Sequence, residues 1–422
     1  MTEITNTKNA MLLIEQYGWG TLGTHDPTIV KEENDYYMFS TDTAVNNSPT
    51  KGIQIRKSKD LVHWEYVGTA LNNIPNEAFE WSKAQGLWAP DVIKYNGVYY
   101  LYYSASTFGS TVSCIGLAKA THLQGPWQDE GIVVKTAPSI ATHNAIDANV
   151  VKDKEENYWL CYGSFFGGIH LVRLNMETGF PEKENDYGKL IARRPQAVEG
   201  AIEGAFIYYH EATDFYYLFA SYDSLSDSYN IRVARSKNIT GPYIDKNGKN
   251  MIDTEGAPHS IGVKLVGSYQ FKNDIAWIAP GHNSIFADNQ KLYMVHHVRV
   301  EAFSSYHYAY IRELFWLEKG WPVVSPEHYQ RTNEHTYSAN DLLGEWEWIA
   351  FDEDTNLKES KIVNVRDTDL YAIQAIANNQ FQHMVEDFQF VVFPCMDWKQ
   401  NKKTIGFSGL TREGRAIFGK RV

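Results

Sequence analysis

Cysteine is scarce in this sequence, and none of it is spaced as a metal ligand or a redox pair. Three of the 422 residues are cysteine, Cys114, Cys161 and Cys395, and they lie far apart without CxxC spacing. A disulfide framework and a cysteine zinc site are therefore excluded. Cys161 lies in the apolar run YWLCYG, where we expect a buried, inert thiol.

Long apolar runs and an excess of basic residues are also missing. No stretch is long enough to cross a bilayer. Lysine and arginine number 39 against 51 acidic residues, a net charge of −12, which argues against nucleic acid or an anionic membrane as a partner. Residues 1–20 have neither the basic start nor the apolar core of a signal peptide. We therefore expect a cytoplasmic protein, with a secreted chain whose signal has been removed as the alternative.

Amphipathic helical patterns are missing too, and a repeat of strands takes their place. Five segments share one order: a short apolar strand, a turn, an aromatic strand and a third strand rich in β-branched residues. The segments contain TIVKEENDYYMFSTD, DVIKYNGVYYLYYSAS, NVVKDKEENYWLCYGSF, FIYYHEATDFYYLFASYD and SIFADNQKLYMVHHV. Without helices between the strands, alternating βαβ folds are excluded. The repeat predicts an all-β fold, a five-bladed β-propeller, with a β-sandwich as the alternative.

A second unit follows where the repeat stops, after GWPVVSPEHY. We predict that residues 1–330 form the propeller and that residues 331–422 form a small antiparallel, barrel-like β-domain. The short strands of that domain read LLGEWEWIAFDED, SKIVNVR, QFVVFP, KTIGFSGL and GRAIFG. The sequence leaves the task of this domain open, and we expect a packing partner that stabilises the propeller.

The repeats can be overlaid, because the first strand of every propeller blade lines the same central channel. The overlay aligns one apolar residue from each first strand: Val30, Ile93, Val151, Ile207 and Phe286. The positions four residues earlier hold Asp26, Ala89, Asp147, Glu203 and His282. Three carboxylates and one imidazole are thus expected around one mouth. Of the two Glu-Gly pairs in AVEGAIEGAF, the overlay selects Glu203 and leaves Glu199 outside the ring.

Three carboxyl groups at one mouth favour acid–base chemistry on a sugar. Crowded carboxyl groups shift each other's pKa values apart, so that one stays protonated while another is ionised. Glycoside hydrolysis requires this division of roles. Asp26 and Glu203 belong to blades that are not neighbours, and a wide gap between them would favour inversion. Taken singly, Asp26-Pro27 is also a common turn, and Asp147 could bond a nearby backbone N–H.

Several strings resemble glycoside hydrolase family 43, most closely its endo-α-1,5-L-arabinanases. They are HDPTIV, LWAPDVIKYNGVYYLYYSASTFGS, NAIDANVV, YGSFFGGI, AIEGAFIYY and YNIRVARSKNITGPY. The resemblance implies a five-bladed propeller and an inverting mechanism. It assigns Asp26 as general base, Glu203 as general acid, and Asp147 as the residue that orients the acid and raises its pKa. The chain departs from many family members at Gly204-Ala205, where they have Ala-Pro, and at Phe166, where they have tryptophan.

Five further residues are expected to contact the sugar. Trp88 stands in the blade whose ring position is small, and Phe108 lies in the loop string STFGS. Asn144 and Ser164 resemble family positions that hydrogen-bond arabinose. Tyr229 opens a third strand, where it would border the cleft or pair strands.

His282, in WIAPGHNSIF, is the fifth member of the ring. A lone histidine is more often a satisfied polar group than a ligand. The arabinanases that the chain resembles hold a metal ion, often calcium, in the channel through such a histidine and waters. The resemblance therefore implies one calcium ion at His282, coordinated mostly by water because calcium prefers oxygen ligands.

These features predict an endo-acting glycoside hydrolase whose substrate is α-1,5-L-arabinan or its oligosaccharides. An exo-acting α-L-arabinofuranosidase or a β-xylosidase with the same three acids is the first alternative. A non-catalytic carbohydrate-binding propeller is the second. The matched acid and base argue against that second alternative, because binding alone does not need them.

Overall fold

The computed structural model describes residues 7–45 and 48–422, mostly as antiparallel β-strands. Helix α1 (Thr7–Gln16) buries Ala10 and Ile14 in the hydrophobic core, and helix α2 (Asn76–Ser82) buries Ala78 between the first two blades. Short 3-10 helices lie at Gln196–Val198, Glu211–Thr213, Glu301–Phe303, Ala339–Leu342 and Asp369–Ala372. None of the helices in the described part of the chain has the length and apolar character needed to cross a bilayer.

The first two blades are four-stranded antiparallel sheets whose strands pair in chain order. The segment of blade 1 contains β1 (Thr28–Glu32), β2 (Asp35–Ser40), the hairpin strands β3 (Ala44–Val45) and β4 (Ser48–Pro49), β5 (Gln54–Ser58) and β6 (Glu65–Thr69). The hairpin β3–β4 lies outside the sheet of β1, β2, β5 and β6. Blade 2 consists of β7 (Leu87–Tyr95), β8 (Val98–Ala105), β9 (Ser113–Ala120) and β10 (Gln128–Thr136).

The next three blades repeat this order, with an additional outer strand in blade 3 and an additional strand beside the channel-lining strand in blade 5. Blade 3 consists of β11 (Asn149–Lys152), β12 (Tyr158–Tyr162), β13 (Ile169–Asn175), β14 (Phe180–Pro181) and β15 (Lys189–Ala192). Blade 4 consists of β16 (Ile202–His210), β17 (Phe215–Tyr222), β18 (Asn230–Ser236) and β19 (Val263–Val266). Blade 5 consists of β20 (Tyr269–Gln270), β21 (Ala276–Asp288), β22 (Lys291–Val300), β23 (His307–Trp316) and β24 (Pro322–Val324).

The five blades close into a ring. Strands β1, β7, β11, β16 and β21 contact one another in this order, and β21 contacts β1. A separate hydrophobic cluster fills each space between adjacent blades. The second strand of a blade is covered on both faces by the neighbouring blades. The second strands β8 and β17 are therefore apolar along most of their length instead of alternating between apolar and polar residues. The predicted five-bladed propeller is confirmed, and the β-sandwich alternative is wrong.

The strand register corrects the sequence overlay by one residue in blade 4. In the other four blades the aligned residue pairs with an aromatic residue of the second strand. These pairs are Val30 with Tyr37, Ile93 with Tyr100, Val151 with Trp159 and Phe286 with Tyr293. In blade 4, Tyr217 pairs with Tyr208 instead of Ile207, and the register shifts between Glu203 and Phe206. Such a bulge adds one residue to a strand. The same shift occurs in blade 2 between Trp88 and Asp91 and in blade 5 between Gly281 and Ser284. The overlay is displaced in blade 4 because it is aligned on Ile207, which pairs with Leu218, instead of on Tyr208.

Backbone conformation shows which residue takes the ring position in blade 4. Four ring residues have a left-handed φ: Asp26 (51°), Ala89 (42°), Asp147 (62°) and His282 (50°). Their counterpart in blade 4 is Gly204, with φ 58°, and Glu203 precedes it. The left-handed region costs an L-residue about 1–2 kcal/mol, which glycine avoids.

The C-terminal residues form one antiparallel seven-stranded sheet, ordered β27-β25-β32-β31-β30-β29-β28. The seven strands are β25 (Gly344–Ala350), β27 (Lys361–Val365), β28 (Ile373–Ala377), β29 (Gln380–His383), β30 (Phe388–Asp397), β31 (Lys402–Thr411) and β32 (Ala416–Arg421), and the short strand β26 (Lys358–Glu359) lies outside this sheet. Aromatic side chains including Trp346, Phe390 and Phe407 fill its core. The predicted C-terminal β-domain is confirmed, whereas its boundary at residue 330 stays a prediction.

This domain is joined to the propeller by strand pairing, apolar packing and buried charge. Strand β26 comes from the C-terminal domain but pairs in parallel with β20 of blade 5. The ring of Trp398 lies 5.2 Å from that of Trp19, and its indole N–H donates to the carbonyl oxygen of His328 at 2.9 Å. The two units therefore share one continuous core.

Candidate active site

A cleft of about 740 Å³ opens at one mouth of the propeller ring. Loops of blades 2, 3 and 4 supply most of its walls. The predicted residues that line it are Asp26, Trp88, Phe108, Asn144, Asp147, Ser164, Glu203 and His282. Tyr229 is buried beneath the cleft floor and reaches Glu203 with its hydroxyl group. The structure thus brings all nine predicted site residues together.

Asp26 is a buried carboxylate surrounded by donors. Its Oδ2 accepts hydrogen bonds from Thr41 Oγ1 at 2.5 Å and from His25 Nδ1 at 2.8 Å, and its Oδ1 lies 3.1 Å from His282 Nδ1. Burial alone would raise the pKa of this carboxyl, but the imidazoles of His25 and His282 hold the pKa well below its usual range. Asp26 is therefore ionised, as a proton acceptor must be.

Asp147 connects His282 to the segment that carries Glu203. Its Oδ2 accepts the backbone N–H of Gly204 at 3.0 Å and lies 4.0 Å from His282 Nδ1. Burial first, and then the nearby charges of Glu203 and Asp26, raise the pKa of Asp147 to about 7. The carboxyl of Asp147 thus fixes the backbone directly after Glu203.

Glu203 is held by two hydroxyl groups, one at each carboxyl oxygen. Ser164 Oγ donates to Oε2 at 2.6 Å, and the Tyr229 hydroxyl donates to Oε1 at 2.6 Å. The sequence suggested sugar contacts for Ser164 and Tyr229, whereas the structure commits both hydroxyls to Glu203. A Cβ at Gly281 would lie 1.8 Å from the Tyr229 ring, so only glycine leaves room for this tyrosine.

Glu199, the other glutamate of the double Glu-Gly stretch, lies on the wall of the cleft but away from the ring. It is exposed and ends the 3-10 helix Gln196–Val198 with a left-handed φ of 56°. Its backbone N–H donates to the carbonyl oxygen of Gln196 at 2.9 Å. Its position outside the ring agrees with the overlay.

Exposed aromatic rings stand at two lips of the cleft. Phe108 is 88% exposed and Phe166 is 50% exposed, whereas Trp88 is half-buried in the wall. Exposed rings of this kind offer flat apolar faces to a sugar. Asn144 is buried, and its Oδ1 accepts a hydrogen bond from Ser113 Oγ within the protein.

Sequence reasoning missed several residues that the fold brings to the site. His25 and Thr41 bond Asp26, and Thr41 stands just past the end of β2. The position of each residue in the sequence offered a signal for its role at the site. His25 directly precedes Asp26 in the string HDP, and Thr41 directly follows an aromatic strand. Thr355 of the C-terminal domain also lines the cleft. No local pattern marks Thr355, which joins the site only through domain packing.

The surroundings of His282 are compatible with a metal ligand. Its Nδ1 lies 3.1 Å from Asp26 Oδ1, and the residue lines the cleft. Histidines that bind metals commonly donate their other ring N–H to a carboxylate in this way. The protein would supply one nitrogen, so water would provide the oxygen ligands that calcium prefers.

The full length of the chain has relatives of known activity. It is 31% identical over 476 aligned positions to the extracellular endo-α-(1→5)-L-arabinanase of Thermotoga petrophila, covering 100% of this chain and 98% of the relative. It is 30% identical to the extracellular endo-α-(1→5)-L-arabinanase 2 of Bacillus subtilis, covering 95% and 93%. Both relatives are extracellular, which overturns the expected cytoplasmic location. That expectation depended on a missing leader pattern, which is weak evidence against secretion.

Family models and a crystal structure agree with these relatives. The model of glycosyl hydrolases family 43 matches residues 21–322, and that of the family's C-terminal lipocalin-like domain matches residues 326–419. The crystal structure of the Thermotoga petrophila endo-1,5-α-L-arabinanase superposes with a TM-score of 0.82 at 30% identity, covering 95% of this chain and 99% of that one. With its five blades, its ring of carboxyls and these matches, the chain belongs to glycosyl hydrolases family 43.

Proposed function

We propose that this chain is an inverting endo-arabinanase that hydrolyses α-1,5-linked L-arabinan outside the cell. One observation carries the proposal: the ionised Asp26 and the hydroxyl-bound Glu203 share one cleft in a chain that matches endo-arabinanases along its full length. A β-xylosidase or a non-catalytic propeller is less consistent with this combination.

The reaction is a single displacement at the anomeric carbon. Asp26 takes a proton from a water molecule, whose oxygen attacks the anomeric carbon from one face of the sugar. Glu203 donates its proton to the glycosidic oxygen as the bond from that oxygen to the anomeric carbon breaks. One attack from the face opposite the leaving group inverts the configuration of that carbon.

The neighbours of the two carboxyls prepare them for these roles. His25 and His282 favour the ionised form of Asp26. Ser164 and Tyr229 orient the carboxyl of Glu203, and Asp147 holds the backbone after it through Gly204. Positioning a reacting group beforehand lowers the entropy cost of reaching the transition state.

The product pattern on debranched linear arabinan tests this function. The native protein should release a ladder of arabino-oligosaccharides, and NMR should show that the first product has the inverted anomeric configuration. Glu203→Gln should lower kcat by about 10²–10⁴-fold, because it removes general acid catalysis. The matched variant Glu199→Gln should keep the native rate. Release of arabinose alone would indicate an exo-acting enzyme, and inactive Glu199→Gln would refute the acid assignment.

We further propose that His282 holds one calcium ion through Nε2, with water as the remaining ligands. When bound, the ion adds positive charge beside the carboxyls of the ring. After chelation, adding calcium should raise the thermal unfolding midpoint of the native protein and leave that of His282→Gln unchanged. An equal response of both proteins would exclude His282 as the ligand.

A further inference from the structure

The C-terminal domain reaches the catalytic cleft through one short segment. Residues 352–357, here named the rim loop, connect β25 to β26, and Thr355 of this loop lines the cleft. Thr355 and Ser228, a cleft-lining residue of blade 4, also line a narrow seam between the rim loop and blade 4. The cleft wall is thus completed by a residue from outside the propeller.

Two buried basic side chains of blade 4 hold the backbone of the rim loop. The Nζ of Lys264 donates to the carbonyl oxygens of Asp352 at 2.8 Å and Glu353 at 3.2 Å, and also to that of Asp354. The Nη2 of Arg232 donates to the carbonyl oxygen of Glu353 at 2.9 Å. Burial lowers the pKa of Lys264 to about 7, and its ammonium or amine group, together with Arg232, fixes the loop on the propeller through four hydrogen bonds.

The same arginine connects the rim loop to a second part of the cleft wall. Arg232 Nη1 donates to the carbonyl oxygens of His259 and, at 3.1 Å, Ile261, and His259 lines the cleft. At the far end of the loop, the N–H of Lys358 donates to the carbonyl oxygen of Ser268 at 3.0 Å. The loop is anchored at both ends and forms a fixed wall.

The rim loop adjoins the part of blade 4 that holds Glu203. Ser228, its neighbour across the seam, directly precedes Tyr229, whose hydroxyl bonds Glu203. In an inverting hydrolase the acid stands beside the leaving-group oxygen, and the base stands on the opposite side of the sugar. The side that holds Glu203 and Thr355 therefore receives the leaving part of the chain.

We propose that the rim loop forms the leaving-group end of the cleft and that Thr355 contacts a sugar residue beyond the scissile bond. The C-terminal domain thereby sets where along a glycan chain the enzyme cuts. This inference rests on the proposed function only for the identity of the sugar and the placement of the acid.

Thiol labelling of the full-length enzyme tests the proposal without a change of fold. The natural cysteines Cys114, Cys161 and Cys395 are buried, so a thiol introduced by Thr355→Cys is the accessible target. Asn356→Cys is the matched control, because Asn356 is an exposed neighbour in the same loop that does not line the described cleft. Both variants are assayed on arabinohexaose before and after reaction with a bulky maleimide.

Labelling of Thr355→Cys should lower kcat/KM for arabinohexaose by about tenfold, the loss expected when one good subsite contact is blocked. It should also move the preferred cleavage position, read by mass spectrometry of substrate labelled at its reducing end. Bound arabinohexaose should slow maleimide reaction at Thr355→Cys and not at Asn356→Cys. Equal behaviour of the two labelled variants would overturn the proposal.

Thr355→Trp provides a second test that does not depend on thiol reactivity. It should shift the cleavage position in the same direction, and an unchanged product pattern would contradict the assigned wall. If the native protein degrades another glycan in place of arabinan, the substrate assignment fails. The same comparison made on oligosaccharides of that glycan still decides the role of Thr355.

Discussion

Tyr229 and Ser164 each donate a hydroxyl proton to one oxygen of the Glu203 carboxyl. Burial, followed by the charges of Glu203 and Asp147, raises the pKa of Tyr229 far above its ordinary value. The tyrosine therefore keeps its proton and stays a donor. A donor fixed in this way positions the proposed acid without reacting itself.

Removing the Tyr229 hydroxyl should impair the proton transfer more than substrate binding. Tyr229→Phe should lower kcat about 10- to 100-fold, since a hydrogen bond to a charged group contributes about 1.5–3 kcal/mol. KM for arabinohexaose should stay near the native value, and the acidic and basic limbs of the pH–rate profile should move. Steady-state kinetics over a range of pH measures all three quantities.

Tyr222→Phe is the matched control for this change. Tyr222 is also fully buried, but its hydroxyl has no hydrogen-bond partner within the described residues. Its removal should leave kcat and the pH profile as in the native enzyme. An equal loss in both variants would mean that Tyr229 acts only through packing.

Gly281 should be essential for the position of Tyr229. In Gly281→Ala the new Cβ would lie 1.8 Å from the tyrosine ring, so the ring must move and release Glu203. We expect a loss of kcat similar to that of Tyr229→Phe and a destabilisation of about 1–3 kcal/mol from overpacking. In the control Gly267→Ala the new Cβ meets its nearest atom at 3.5 Å. Native activity in Gly281→Ala would contradict this account.

Among the structural elements, the channel-lining strands place the chemistry because each contains or closely follows a left-handed residue at the mouth of the ring. Side chains of the preceding blade support several of these turns. Thr41 Oγ1 accepts the N–H of Ala89 at 2.8 Å, and Ser104 Oγ accepts that of Asp147 at 3.0 Å. In blade 4 the support comes instead from the carboxyl of Asp147, which accepts the N–H of Gly204.

Gly204 combines a left-handed φ with a close neighbour, and the two effects can be separated. In Gly204→Ala the new Cβ would lie 3.0 Å from His282 Cα at a φ of 58°, whereas in Gly248→Ala it meets no atom within 4 Å at a φ of 83°. Both variants should lose about 1–2 kcal/mol of unfolding free energy, the cost of a left-handed L-residue. Only Gly204→Ala should also lose kcat. Urea unfolding and arabinan assays distinguish these outcomes.

On the scale of the whole molecule, a buried charge cluster joins the two domains. Lys420 Nζ lies 2.7 Å from Glu327 Oε1, 3.4 Å from Asp274 Oδ2 and 3.7 Å from Asp397 Oδ2. Asp274 belongs to the propeller, Asp397 and Lys420 belong to the C-terminal sheet, and Glu327 lies in the segment that follows the last propeller strand. One ammonium cannot balance three carboxylates, so the cluster holds an additional proton. Burial, together with Asp274 and Asp397, raises the pKa of Glu327 to about 7.

The stability of the protein should therefore depend on pH through Glu327. Its pKa in the folded protein exceeds the ordinary value of 4.5, so the folded state retains a proton that the unfolded chain releases as the pH rises. Relative to Glu327→Gln, the native protein should lose stability between pH 4.5 and about pH 7, by no more than about 3 kcal/mol. Urea unfolding at pH 5 and pH 7.5 measures this difference, with Glu301→Gln at an exposed site as the control. A constant difference at both pH values would contradict the assignment.

Local sequence determined the fold class, the number of blades and the residue types at the mouth of the ring. Turns and aromatic strands alternate in the sequence of every blade. The strands are apolar along their length because neighbouring blades cover both of their faces. Asp26 and Asp147 could be selected because they stand at a fixed offset from those strands, whereas Glu203 directly precedes the residue at that offset, Gly204.

Tertiary structure alone decided the contacts between blades and domains. The strand register that places Gly204 in the ring carries no composition signal, and the bonds from Ser164 and Tyr229 to Glu203 connect residues 39 and 26 positions apart. Thr355 reaches the cleft only because Arg232 and Lys264 hold the rim loop on blade 4. Such contacts arise from the packing of distant segments, and no short stretch of sequence encodes them.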